Sequence, residues 1–386
     1  MSLRDDVETV LRSWDAHETA RGNPGIIDYD CHPTDADVQP APDRLHVLTR
    51  LTALYQQARK RDAAPVADRV RADLTYLRAL LGERLPIEQY IRDTQGCEPV
   101  GWTDLDLERR RTLAIDALAT IGITWGPGLD ADLRQQEGPL PAEEAGDAIR
   151  AAAKALEPAV RELTGSSAPY TLAVESVDVD AYWAYWLDGA GPAARLRLNL
   201  RQARFTEVRA RQFALHEVLG HALQCASFAH RAATDDVPWV RIMSVHAPYQ
   251  VLLEGLAQAL PLFVTPDDPA LVARVRLTQY LQLVNARLHL AINRGTAIEQ
   301  CVADARALVP HWGDHEIADA LADRGADPLL RSYLWAYPAG VDRFATVADT
   351  ATPDTIRTLM HAAYRDPLTP TELSRYAPTA CPIGRA

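Results

Sequence analysis

The sequence predicts a mostly α-helical fold of α+β type, with one small sheet in mid-chain. Three observations carry this. Apolar residues recur at three- and four-residue spacing over long stretches, two short segments near the middle have strand character, and a further helical pattern follows directly behind the second of them. From Arg4 to about Ala20 and again from Arg44 to Leu81 the spacing is helical, as in Leu48, Leu51, Leu54 and Tyr55. Between them, Gly22 to Pro42 is rich in Pro, Asp and Gly and reads as a long loop. Helical patterns cover Leu105 to Ile121 and Ala142 to Thr164, joined by a turn-rich segment starting at Trp125. The strand signals are Tyr170 to Val179 and Arg195 to Leu200, the latter alternating charged or polar with apolar residues. After Gln202 helical spacing holds nearly to the end, with breaks expected at Pro238, Pro248, Pro261, Gly313, Gly325, Pro338 and Pro353. The expected organisation is an N-terminal helical region, 1–165, and a catalytic region, 166–386, either separate or continuous.

Composition narrows the function. Hydrophobic residues make up 47% and charged residues 24% of 386 positions, which suits a packed globular chain. Net charge is −12, the wrong sign for neutralising phosphates or docking on anionic lipid, so neither nucleic acid nor a membrane is an expected partner. The first residues carry acids where a secretory signal has basic and apolar residues, which leads us to expect a cytoplasmic protein. Five cysteines, Cys31, Cys97, Cys225, Cys301 and Cys381, form no CxxC pair and fit reduced thiols. Any metal must be held by His and carboxylate.

The informative segment is Leu215-His216-Glu217-Val218-Leu219-Gly220-His221-Ala222. In the HExxH helix of zinc peptidases, two His four residues apart share one face, and the Glu beside the first activates water. Here the His are five apart. On a regular helix they would stand about 140° apart, too far to share an ion. The spacing therefore predicts one wider, π-type turn of about 4.4 residues, which Gly220 eases by having no side chain to crowd it. A third ligand is expected from a following helix. Glu254, inside the apolar run Val251 to Leu260, is the candidate, because a metal ion compensates an otherwise costly buried carboxylate. With Glu217 as general base, His216, His221 and Glu254 would hold one Zn2+ per chain, since two imidazoles and a carboxylate suit zinc. The strand Arg195 to Leu200 stands where such peptidases have the edge strand that binds an extended substrate.

The run Arg195 to Leu200, then Ala214-Leu-His-Glu-Val-Leu-Gly-His-Ala-Leu-Gln224, then Glu254-Gly-Leu-Ala, resembles a large bacterial family of uncharacterised helical gluzincin peptidases. That family has a strand ending in Asn, an HExxPGHxxQ helix and an EGWA segment. The departures are a single Gly220 where the family has Pro-Gly, and Leu256 where it has Trp. The six-residue motif is itself similar to that of the dipeptidyl peptidase III family. Asn285 to His289, Arg331 to Tyr333 and Pro338 to Gly340 also resemble the family's C-terminal half. The resemblance implies a gluzincin fold and peptide or amide hydrolysis, and it favours Tyr333 and Arg331 among the residues that could donate to an oxyanion or hold a substrate carboxylate. The others are His246, Tyr249, His289 and Tyr337. Asp28, Asp30, Cys31 and His32 could imitate a metal cluster, but acids in such a loop are expected to bind local backbone. Two alternatives to a peptidase stay open: a metal enzyme acting on a small molecule, and an inactive helical binding module with a vestigial site.

Overall fold

The computed structural model describes residues 2–99, 101–179, 185–201 and 204–376. The fold is mostly α with one small mixed sheet. Helix Leu3–Ala20 starts at a capping box in which Ser2 and Asp5 bond each other's backbone N–H, and it buries Val7, Leu11 and Trp14. The single pattern expected over Arg44 to Leu81 is two helices, Arg44–Lys60 and Ala64–Leu80. Asp62 between them adopts a positive φ of 54°, and Pro65 opens the second helix, where its missing N–H has no partner to lose. Helices Asp104–Thr120 and Ala145–Thr164 lie where apolar spacing places them, whereas Ile87–Gln95 and Leu129–Gln136 arise from segments too short to show a period. Pro338 does not break a helix. It sits in the first turn of Ala336–Thr350, where Pro is tolerated.

Seven strands stand among the described residues: β1 (Tyr29–Asp30), β2 (Pro139–Leu140), β3 (Thr171–Val177), β4 (Tyr185–Ala190), β5 (Ala193–Asn199), β6 (Phe205–Thr206) and β7 (Ile242–Met243). Five form one sheet in the order β3-β5-β4-β1-β7, and β2 pairs with β6 apart from it. The expected edge strand is therefore an interior one. β5 pairs in parallel with β3 along its whole length and antiparallel with β4 through the hairpin at Gly191, so both its sides are spent. The loop Gly22 to Pro42 contributes β1, which pairs with β4 only at Gly189 and Ala190. In this register the N–H and C=O of Tyr185 and Leu187 point to the side away from β5 and have no strand partner among the described residues.

The largest core joins Ile149, Ala153 and Val160 to Leu196, Leu215, Leu219, Leu256 and Phe344, so the stretches on either side of residue 165 share an interior. Two close crossings set its geometry. Helix Gln250–Ala259 meets helix Ala336–Thr350 at Gly255 and Gly340, where a Cβ on either glycine would collide with the other's backbone. On its other side it meets Gly220, whose added Cβ would stand 2.8 Å from Ala257 Cβ. Buried Asp342 is fully paired, accepting from Trp102 Nε1 at 2.9 Å, Arg110 Nε at 2.7 Å and Gln279 Nε2 at 2.8 Å. Cys31, Cys97, Cys225 and Cys301 are buried free thiols, and Cys381 lies outside the described residues. No helix among the described residues is long and apolar enough to cross a membrane.

The glycine crossing gives a direct test. Gly340→Ala should lower unfolding stability by about 1–3 kcal/mol, the usual scale of overpacking, in urea denaturation. A surface control, Thr350→Ala, at the exposed end of the same helix, should change it far less.

Candidate metal centre

The helix Glu207–Phe213 continues without a cap into a π-helix, Ala214–Ala222, and then into helix Leu223–Thr234. The wide turn is the one the five-residue His spacing requires. It brings His216 Nε2 and His221 Nε2 to 3.2 Å from each other. Helix Gln250–Ala259 adds Glu254, whose Oε2 lies 3.6 Å from His216 Nε2 and 3.7 Å from His221 Nε2. Ligand atoms at 2.1 Å from a tetrahedral ion are about 3.4 Å apart, close to all three separations. Glu254 Oε2 is buried and has no hydrogen-bond partner, as expected of an atom whose partner is a cation.

His216, Glu217 and His221 form a cluster able to hold a metal, their ligand atoms all within 4.8 Å of one another. Glu217 Oε1 is 3.6 Å from His216 Nε2. Two carboxylates thus compete for the third position. Glu254 fits it better because its Oε2 is near both imidazoles, whereas Glu217 Oε1 is near that of His216.

Electrostatics separates the two acids. Burial disfavours charge on both, but the His221 and His216 imidazoles hold Glu254 well below the usual carboxylate range, whereas burial and the neighbouring Glu254 leave Glu217 raised. His221 is raised against its burial by Glu254. Glu254 Oε1 accepts from Tyr333 Oη at 2.5 Å, and Tyr333 accepts from Tyr337 Oη at 2.6 Å. Burial and Glu254 push both phenols up, so both stay protonated as donors. The Gly255–Gly340 crossing is what lets these rings, at the start of the Ala336–Thr350 helix and just before it, reach the residue next to Gly255.

Of the other candidates, Tyr333 and Tyr337 reach the centre, and the rest are held elsewhere. His246 is not at the metal: its Nε2 pairs with Asp73 at 2.8 Å and its ring stacks on Tyr76. Tyr249 belongs to the same buried network, accepting from Arg69 Nη1 and Ser244 N, both at 2.8 Å. Arg331 is also not at the metal, since its guanidinium binds Asn293 Oδ1 and Leu85 O and lies over the Tyr90 ring. His289 Nε2 is 3.1 Å from Arg331 O, and burial drives that imidazole down to about 3. In the Asp28 to His32 loop, Asp30 pairs with Arg12 and accepts from His32 N. Gln224 ties the motif helix to Ala363 O at 2.9 Å. Tyr185 on β4, which the sequence did not single out, lies within the electrostatic field of Glu217. It packs edge-on against Phe213, and although 41% of its surface is exposed, burial of the hydroxyl end and the field of Glu217 push its phenol up.

No family model matches the chain, and no curated protein matches it. Among solved structures it is similar in fold to a "putative lipoprotein" from Colwellia psychrerythraea, with a TM-score of 0.53 and 14% identity. That likeness covers 86% of this chain and 61% of the other, so this chain spans under two thirds of its relative's length.

Tyr333→Phe should weaken metal affinity about 10- to 100-fold, the scale of losing a bond to a ligand's far oxygen, in a chelator competition titration. His216→Ala and His221→Ala should bring metal content to background by elemental analysis.

Proposed function

We propose that this protein is a zinc-dependent hydrolase that cleaves a peptide or amide bond, in line with its resemblance to the helical gluzincins. The observation that carries this reading is the convergence of His216 Nε2, His221 Nε2 and Glu254 Oε2 at separations of 3.2–3.7 Å beside the buried Glu217. Zinc, when bound there, supplies Lewis acidity that polarises the scissile carbonyl and makes water acidic.

Every other part falls to the chain's own residues. Glu217, raised by burial, is matched to accept a proton from the attacking water and to pass it to the leaving nitrogen as the C–N bond breaks. Glu254, anchored by Tyr333, keeps its charge for the ion. Tyr185, kept protonated by burial and the field of Glu217, is our candidate for donating to oxygen as negative charge develops. The backbone edge for an extended substrate belongs to β4 rather than β5: Tyr185 and Leu187 face away from β5, and β4 packs against the π-helix. Among the described residues the open edge of β4 is two residues long and seats a short segment, which supports short substrates and brings the peptidase and small-molecule readings close together.

Glu217→Gln should keep about one zinc per chain while lowering turnover of a susceptible short peptide by about 10²- to 10⁴-fold, because an amide accepts no proton. Retention of wild-type turnover in that variant would remove Glu217 as the base.

A further inference from the structure

We infer that Arg209 is the seat of a substrate carboxylate, which makes short peptides or N-acyl amino acids with a free C-terminus the class this site takes; the inference rests on the hydrolase reading above. Arg209 lies seven residues ahead of His216 on one continuous helix, about 10 Å from it along the axis. Phe213 stands between them, and the Tyr185 ring packs against it at 4.6 Å. The Tyr185 phenol is within electrostatic reach of Glu217, Glu254 and Arg209. Phe213, carrying the Tyr185 ring, therefore lies between Arg209 and His216 along the helix.

That guanidinium is half-buried, and among the described residues its side chain has no hydrogen bond or ion pair. Its neighbours do. Arg211 pairs with Asp268. Arg274 takes Glu137 through Nη2 at 2.7 Å, and Thr206 Oγ1 donates to the same carboxylate at 2.7 Å. Glu137, the acid that acts most on Arg209, is thus already held by Arg274 and Thr206, and Asp130 adds only a weaker field. Burial and Arg274 pull the Arg209 pKa down, and the fields of Tyr185, Glu137 and Asp130 offset them only in part.

Five N–H donors without an acceptor in a half-buried site are costly, and a carboxylate completes them in bidentate geometry. Chain rises about 3.3–3.6 Å per residue, so a C-terminal carboxylate one or two residues past the scissile bond falls within reach of Arg209.

The test uses zinc-loaded protein, wild type and Arg209→Gln, with short neutral peptides as free acids and as C-terminal amides. Wild type should prefer the acid by about 10- to 100-fold in kcat/KM, the scale of a charged hydrogen-bond pair, and Arg209→Gln should lose that preference. Calorimetric binding of the same two peptides to zinc-loaded Glu217→Gln, with and without Arg209→Gln, reads the site without turnover. Hydrolysis with no acid preference in wild type, or a preference that survives Arg209→Gln, would overturn the carboxylate seat and leave the hydrolase standing. Acid-selective, Arg209-dependent binding without any hydrolysis would do the reverse. Should Arg209→Gln fail to fold, Arg209→Lys takes its place, and a full bidentate preference in that variant counts against the proposal.

Discussion

Two imidazoles can share an ion only if they stand on one face of their helix, and the five-residue interval between His216 and His221 forbids that in a regular α-helix. The surrounding structure follows from how this constraint is met. A π-helix over Ala214–Ala222 widens the turn, and a widened turn carries its side chains farther from the axis. The Glu254 helix can then approach only where neither chain has bulk, at Gly220 against Ala257. The same helix is clamped from behind by the Gly255–Gly340 crossing, which delivers Tyr333 to the far oxygen of Glu254. Three glycines and one irregular turn thus fix a carboxylate whose second oxygen is left for a cation.

Much of this was legible in the sequence, because the arithmetic is local. The wide turn follows from counting residues between two His. Glu254 stands out as a carboxylate in an apolar run, and the helices with clear periods lie where their spacing puts them. Legibility ended where contacts are long-range. β4 escaped notice because Asp188 and Gly189 interrupt its alternation, and without β4 the strand Arg195 to Leu200 looked like an edge. His246 looked available because its partner Asp73 is 173 positions away, and Arg331 because the acceptors on Asn293 and Leu85 are invisible from its own segment. Arg209 illustrates the opposite failure. Its place seven residues ahead of His216 could have been counted, but that it forms no ion pair among the described residues is a property of the folded neighbourhood.

The segment leading into the Glu254 helix shows why several polar residues near the site are structural. Arg69, Asp73, Ser244, His246 and Tyr249 form a buried, mutually satisfied network that holds Ile242 to Tyr249. Such networks are strong when complete and expensive when broken. This one fixes the entry of the Glu254 helix, and hence the angle at which the carboxylate meets the two imidazoles.

The single extra residue in the π-turn also acts beyond it. Everything downstream on the same helix is retarded in phase by about 100° relative to an uninterrupted α-helix. Gln224, Cys225 and Phe228 point into the interior on that delayed phase, with Gln224 reaching Ala363 O. Shortening the turn by one residue would restore a four-residue His pair but rotate this whole half of the helix out of its cavity. The insertion is therefore locked in by packing that has no contact with the metal, and the centre and the core behind it can change only together.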